Sequence, residues 1–425
     1  MKQRILAADV AGHSGSTVVV AGWVHRIREL GAVSFVLLRD RSGLVQLVYE
    51  GKTDLANESV VQVQGNVEAN DKAPGGYEVR VTDTTVLAPS AADIPLAVNQ
   101  DPESVGLDAL LDNRILSLRM PKVRSIFTVQ STIAEVFASF LRSQDFTEIK
   151  SSKLIGTGTE GGTGLFAVDY FGERVYLAQS PQFYKQAMVA SGMERVFEIG
   201  AAYRAEKHDT PRHLNEYVSL DVEVGFIDGY EDLMDLEARI LTAIFAAVQD
   251  RHADILESFG TTVPSAEQVA SIPRIGHEEA KTVISERSGK KAFEINPEGE
   301  RILSAWAEET AGVAAVFVTE FPRKKRPFYT FPDDLKTRSF DLVFRGLEIT
   351  TGSQRINEYA MLKDALPKFG LTEEGLADYV TIFKYGCPPH GGFAIGLERL
   401  TQQILGLSNV KEASLFPRDR RRVRP

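Results

Sequence analysis

The sequence predicts an α+β protein of two domains: an N-terminal five-stranded β-barrel, then a larger domain built on an antiparallel sheet flanked by helices. Three observations carry that expectation. The 425 residues exceed what one hydrophobic core commonly organises. Residues 17–87 alternate apolar and polar side chains with no helical interval. From about residue 126 onward, helical periodicities interleave with strand patterns.

The barrel strands are "TVVVAGWVHRI", "SFVLLRD", "LVQLVYE", "VVQVQGNV" and "YEVRVTDTTVL", separated by Gly, Asp and Asn turns. Their number and length fit a small closed barrel of the oligonucleotide-binding (OB) kind. The Pro- and Asp-bearing stretch near 88–108 then reads as a hinge. The resulting division is 1–98 for the barrel, 99–125 for the hinge and 126–425 for the larger domain.

In the larger domain, "TVQSTIAEVFASFLRSQDF" predicts a helix over 128–143 and a strand at about 146–150. The run "GTGTEGGTG" suits a mobile flap, since glycine tolerates unusual backbone angles. In "SPQFYKQAMVASG", Ser180 caps a helix, Pro181 opens it and Gly192 stops it, which places Gln182 and Lys185 on one face. Further helices are expected over 230–257 and 276–288.

Composition narrows the function classes. A hydrophobic content of 43% is enough for a substantial core and argues against disorder. No apolar stretch reaches the roughly 20 residues a membrane helix needs, and the N-terminus lacks a signal peptide's apolar core, so a cytoplasmic protein with no membrane partner is expected. One cysteine, Cys387, precludes an internal disulfide, and the seven histidines lack zinc-ligand spacing. A net charge of -10 opposes whole-surface attraction to nucleic acid but leaves room for local basic patches. Arg26, Arg28, Arg39 and Arg41 form one candidate patch, and Lys411 with residues 418–424 another. Either could equally be solvated surface.

Three constellations carry chemistry. In "RVFEIGAAYRAEKHDTPRHLNEYVSLDVEVGFI", strand alternation points Arg204 and Glu206 the same way and sets Tyr217, Ser219, Asp221 and Glu223 opposite the apolar Val218, Leu220, Val222 and Val224. Such a polar sheet face is either solvated surface or the floor of a charged pocket. In "SFDLVFRGLEITTGSQR", a turn near Arg345 and Gly346 would set Asp341 opposite Glu348. Adjacent carboxylates repel unless a cation intervenes, so they form a candidate Mg²⁺ site, the alternative being that each pairs with an arginine. In "PPHGGFAIGLERLTQQILGL", a strand enters a helix that buries Leu397, Leu400, Ile404 and Leu407. Arg399 in its first turn could reach a phosphate at the helix N-terminus, although a glycine before a helix is commonly just packing.

In this order, and with the stretches "TEGGTGLF", "LAQSPQFYKQ", "RHLNE", "RGLEITTGSQRI" and "PPHGGFAIGLERL", the chain resembles class II aminoacyl-tRNA synthetases. Within that class it resembles the archaeal-type aspartyl-tRNA synthetases over essentially its whole length. The resemblance implies activation of L-aspartate by ATP and transfer to the 3′ end of tRNA, with Mg²⁺ and neither zinc nor an organic cofactor. It also implies residue roles. Arg204 would bridge the α-phosphate and the attacking carboxylate. Glu206 would accept from the adenine amino group, with Tyr217 and Arg399 on either side of the ring and His213 at the outer phosphates. Asp341 and Glu348 would hold Mg²⁺, with the Thr351 hydroxyl kept for a second metal or phosphate contact. Arg355 and Lys185 would take the aspartate side chain, Gln182 and Asp221 its backbone groups, and Glu160 would close over the ammonium.

In the barrel, Phe35 would stack on an anticodon base, Gln46 and Glu78 would read base edges, and Arg26 and Arg28 would lie near the backbone. The alternative for Phe35 is core, although its neighbours Val36, Leu37 and Leu38 could fill that core instead. His25 and Pro74 stand where aspartate-only members carry Trp and Lys, which points to charging of both tRNA(Asp) and tRNA(Asn), the latter for later amidation by an amidotransferase. The resemblance further implies a homodimer, although Ser151 and Ser152 occupy the stretch where the family has a proline at the dimer interface. Three rivals stand beside this reading: a strictly tRNA(Asp)-specific enzyme, a lysyl or asparaginyl synthetase, and a catalytically silent tRNA-binding paralogue. The second should not present Arg355 with Lys185, and the third should have lost Arg204, Glu348 or Arg399, all of which are present.

Overall fold

The structure is a computed structural model describing residues 4–91, 93–158 and 164–425. It divides into two compact units, Met1–Arg124 and Ser125–Pro425.

In the first unit, strands Thr17–Leu30, Val33–Arg39, Leu44–Glu50, Tyr77–Ala88 and Val60–Ala69, in that spatial order, close into a barrel. Period-2 alternation sends Val20, Val36, Leu38, Leu47, Val63 and Val79 into its core. Each fully buried aliphatic side chain contributes roughly 1.5–3 kcal/mol. Residues directly opposite one another share a face, and Arg26, Leu37, Gln46 and Glu78 form one such row across four strands. Arg28 opposes Phe35 in the next row of the same face. Leu37 therefore accompanies Phe35 away from the core and does not fill it, as the sequence had allowed.

In the second unit, the main sheet among the described residues has eight strands. Their order is Thr147–Glu148, Arg195–Tyr203, Glu216–Gly225, His390–Gly396, Leu347–Gln354, Ser339–Phe344, Ala315–Thr319 and Arg274–Gly276. The two end pairings are parallel and the others antiparallel. One face is covered by helices Pro121–Ser143, Glu231–Ser258 and Leu397–Leu405, which seat Ile133, Phe137, Ile240, Ile244, Leu400 and Ile404 against Phe197, Leu220, Val222, Ile349 and Phe393. The first of these helices starts at Pro121 rather than at 128, because proline's fixed φ and missing N–H suit a first turn. The uncovered face carries Tyr217, Ser219, Asp221, Thr351 and Ser353, so the polar stripe of the 216–225 strand is a pocket floor.

Arg345 (φ 49°) and Gly346 (φ 81°) make the expected two-residue turn. The pairing beyond it differs from expectation. A register shift between Leu342 and Val343 inserts Ile349 as an extra residue in the second strand, so Asp341 lies opposite Thr351 and Glu348 opposite Val343.

Candidate functional site

Two cavities adjoin over the open face of the sheet, sharing Arg204, Tyr217, Ser219 and Thr351. Glu206, His213, Glu348 and Arg399 line the first. Gln182, Lys185, Asp221 and Arg355 line the second, which Arg326 also borders. Asp341 is buried beneath them, joined to Arg326 by an ion pair. Glu160 lies outside the described residues.

Arg204 and Glu206 sit just past the end of the 195–203 strand, so strand alternation is not what aligns them. Asn215 does so. Its Nδ2 donates to the carbonyls of Arg204 (2.7 Å) and Glu206 (3.3 Å), while its own carbonyl accepts from the Arg204 N–H at 2.9 Å. The Arg204 guanidinium lies 5.6 Å from the centre of the Tyr217 ring, within cation–π range. His213 is held by Thr210 at 2.6 Å, and burial, then Arg399, lower its pKa, so the ring is neutral at pH 7. Arg399 projects from the first turn of its helix and donates to the carbonyls of Glu348 (2.9 Å) and Arg212 (3.3 Å). Arg212 pairs with Glu300, which also accepts the Glu348 N–H at 3.0 Å. Sequence reasoning missed Asn215 and Glu300; Asn215 was visible in "RHLNE", but Glu300 belongs to a helix remote in sequence.

The two carboxylates expected to hold a metal each lie beside an arginine. Asp341 is 2.8 Å from Arg326 and Glu348 is 3.7 Å from Arg399. Burial pushes the Asp341 pKa up to about 7 against the pull of Arg326, with Glu348 adding to the rise. Thr351 Oγ1 donates to Glu348 Oε1 at 3.3 Å. Among the described residues no three His, Cys, Asp or Glu side chains cluster as a metal site.

In the second cavity, Lys185 Nζ donates to Asp221 Oδ1 (2.9 Å) and lies 3.3 Å from Glu223 Oε2. Arg355 meets Glu223 twice, donates to Ser353 Oγ at 2.5 Å and to the Gly392 carbonyl at 3.0 Å. Glu223 thus lies behind the cavity wall, gripping two of its lining residues, and is absent from the expected set although it shares the strand face of Asp221. Burial alone would raise its pKa, but Arg355 and Lys185 more than offset that and hold it low. Residue 392 must be glycine here, because a Cβ would stand 2.0 Å from the Val222 carbonyl oxygen and 2.3 Å from Glu223 Oε2. The remaining oxygen of Asp221, Oδ2, is buried with no hydrogen-bond partner.

On the barrel, Arg26 and Arg28 are exposed and Phe35 is half-buried on the outer face. Gln46 Nε2 (2.9 Å) and Asn70 Nδ2 (2.6 Å) both donate to Glu78 Oε2, so the half-buried Gln46 is coupled to the buried Glu78. Pro74 is exposed at the start of the Pro74–Gly76 turn that follows Asn70. His25 departs from the outer row. The register shift between Val24 and Arg26 turns it so that Nδ1 lies 2.7 Å from Arg39 Nη1, beside the buried Arg39–Glu58 ion pair.

Residues 106–420 match the tRNA synthetases of class II (D, K and N), and residues 18–87 match the OB-fold nucleic acid binding domain. The chain belongs to this class II synthetase family, whose members are ligases. It is 46% identical to the aspartate–tRNA(Asp/Asn) ligase of Deinococcus radiodurans, covering 100% of this chain and 99% of that one. To the enzyme of the same name from Thermus thermophilus it is 47% identical, over 99% and 100%. Among solved structures, asparaginyl-tRNA synthetase from Pyrococcus horikoshii complexed with asparaginyl-adenylate superposes with a TM-score of 0.91 at 29% identity, covering 100% of both chains.

Proposed function

We propose that the protein is an aspartate–tRNA ligase that activates L-aspartate with ATP, releasing pyrophosphate, and passes the aspartyl group to tRNA(Asp) and tRNA(Asn). The observation that carries the amino-acid choice is the second cavity, lined by Lys185, Arg355 and an Asp221 whose Oδ2 has no partner. Aspartate matches that pattern, one carboxylate for the two cations and an ammonium for the carboxylate. Asparagine would set an amide NH₂ against two donors.

Both reactants are anions, so the protein's work is positioning and charge neutralisation. Arg204, shared by the two cavities, would meet the α-phosphate and the attacking carboxylate together and stabilise the charge that develops between them. Tyr217 and Arg399 would sandwich the adenine, Glu206 would accept from its amino group, and neutral His213 would hydrogen-bond the outer phosphates. Oxygen-only donors, with Asp341 Oδ1 lacking a directed hydrogen bond, suit a hard cation, so Asp341, Glu348 and Thr351 would hold Mg²⁺. When bound, Mg²⁺ would neutralise the triphosphate. Phe35, Arg26 and Arg28 would meet the anticodon, with the barrel as residues 1–98 and the hinge as 99–125. The enzyme would work in the cytoplasm as a homodimer, its aspartyl-tRNA(Asn) passing to an amidotransferase.

The test is aspartate-dependent ATP–pyrophosphate exchange, followed by charging of separate tRNA(Asp) and tRNA(Asn) transcripts. Exchange with aspartate and charging of both is expected. No exchange removes the aspartate reading, and charging of tRNA(Asp) alone removes the dual specificity.

A further inference from the structure

Behind the amino-acid cavity a chain of buried polar side chains runs from helix Gln182–Met188 to strand His390–Gly396. His390 is wholly buried, with Nδ1 2.9 Å from the Pro388 carbonyl oxygen and Nε2 2.8 Å from Gln186 Nε2. Gln186 Oε1 lies 3.0 Å from Gln182 Nε2 and 3.1 Å from the Tyr379 hydroxyl. The Cys387 thiol stands 3.5 Å from His390 Nδ1.

One atom fixes the polarity of the whole chain. A carbonyl oxygen cannot donate, so the contact with Pro388 puts the proton on His390 Nδ1. Burial lowers the pKa of this histidine, with Arg355 acting the same way and Glu223 and the Pro388 hydrogen bond opposing, so the ring is neutral and Nε2 carries a lone pair. That lone pair requires a donor, which makes the nearby Gln186 atom the amide nitrogen and turns Gln186 Oε1 toward Gln182 and Tyr379. Gln186 Oε1 in turn requires the NH₂ of Gln182. Gln182, which lines the cavity, is left to offer its carbonyl oxygen to a ligand.

We propose that His390, acting through Gln186, is a positioning residue that locks the Gln182 amide with Oε1 toward the cavity, so that the site recognises the α-ammonium of its amino-acid substrate. Without the lock, the amide can flip and present NH₂ to a cation. This proposal rests on the aspartate reading above. Tyr379 belongs to a small cluster with Ile356, Leu362 and Phe383 and stacks on Phe183 at 4.2 Å, which fixes the hydroxyl that meets Gln186.

The two amides that resemble histidine separate its two nitrogens. His390→Gln places an acceptor near the position of Nε2 and keeps the relay; His390→Asn keeps a donor for Pro388 and loses it. The measurement is the KM for aspartate in pyrophosphate exchange, together with inhibition by succinate, which has both carboxylates and no ammonium. His390→Asn is expected to raise the aspartate KM about tenfold, with the ATP KM and succinate inhibition within twofold of wild type, and His390→Gln to restore the aspartate KM to within about threefold. If Asn and Gln behave alike, or if succinate weakens in step with aspartate, the relay is wrong. Should His390→Asn fail to fold, Gln186→Met carries the same expectations. Absence of aspartate-dependent exchange in the wild-type enzyme would instead refute the aspartate reading itself.

Discussion

Glu223 holds the Arg355 guanidinium at two points, Oε1 accepting from Nε at 2.9 Å and Oε2 lying 3.2 Å from Nη2, with Glu223 fully buried. With Nη1 also donating to Ser353 Oγ and Nη2 to the Gly392 carbonyl, the planar guanidinium is locked in one orientation. Removing one member of such a pair costs ~3–5 kcal/mol, because the other is left charged and uncompensated. Glu223→Gln keeps the shape and halves the grip. The expected result is an aspartate KM raised 10- to 100-fold with the ATP KM unchanged, read by pyrophosphate exchange. An unchanged aspartate KM would show that Arg355 is oriented without Glu223.

Arg204 sits where the two cavities meet, and its backbone is pinned by Asn215 rather than by strand pairing. Losing a donor aimed at developing charge costs about 10²–10³ in rate. Arg204→Ala is therefore expected to lower kcat of exchange by that factor while the thermal melt moves little, since the residue lies outside the sheet's hydrogen bonds. A full-rate Arg204→Ala enzyme would exclude it from the chemistry.

The barrel and the synthetase sheet differ in how much of them could be read from the sequence. Alternation located the five barrel strands and the polar stripe of the 216–225 strand, because period 2 survives wherever one face is buried. It failed at two of the register shifts. Ile349 bulges and moves Glu348 off Asp341, and the shift at Val24 turns His25 toward Arg39. Glu223 was legible by parity, two residues on from Asp221, yet its role depends on Arg355, which lies 132 residues away. Arg326 was not legible at all, since it belongs to an irregular segment with no periodicity to read.

Phe35 shares an outer barrel row with Arg28, half-buried and clear of the apolar core. Base stacking on an aromatic ring is worth ~1–3 kcal/mol. Phe35→Ala should weaken tRNA charging by about 5- to 150-fold through KM for tRNA, leaving tRNA-independent pyrophosphate exchange unaltered. Equal charging by the variant would remove this residue from the tRNA interface.

Glu237 faces the helix-covered side of the sheet, fully buried beside Thr350, and neither carboxylate oxygen makes a directed hydrogen bond. Burial raises its pKa to about 8, and Asp341 across the sheet adds to the rise while Thr350 opposes it. The folded protein therefore holds a proton here that the unfolded chain releases near pH 4.5. The sign follows: between those two values the folded state binds more protons, so this group's contribution to stability is whole below about pH 4.5 and is lost as pH rises through about 8. Glu237→Gln replaces the protonated acid with a neutral isostere that never ionises. Relative to wild type the variant should gain stability steadily from pH 5 to about pH 8 and level off above it, by an amount on the order of several kcal/mol in all. Urea midpoints across that range check it, and parallel curves for the two proteins would mean that Glu237 is ionised in the folded state.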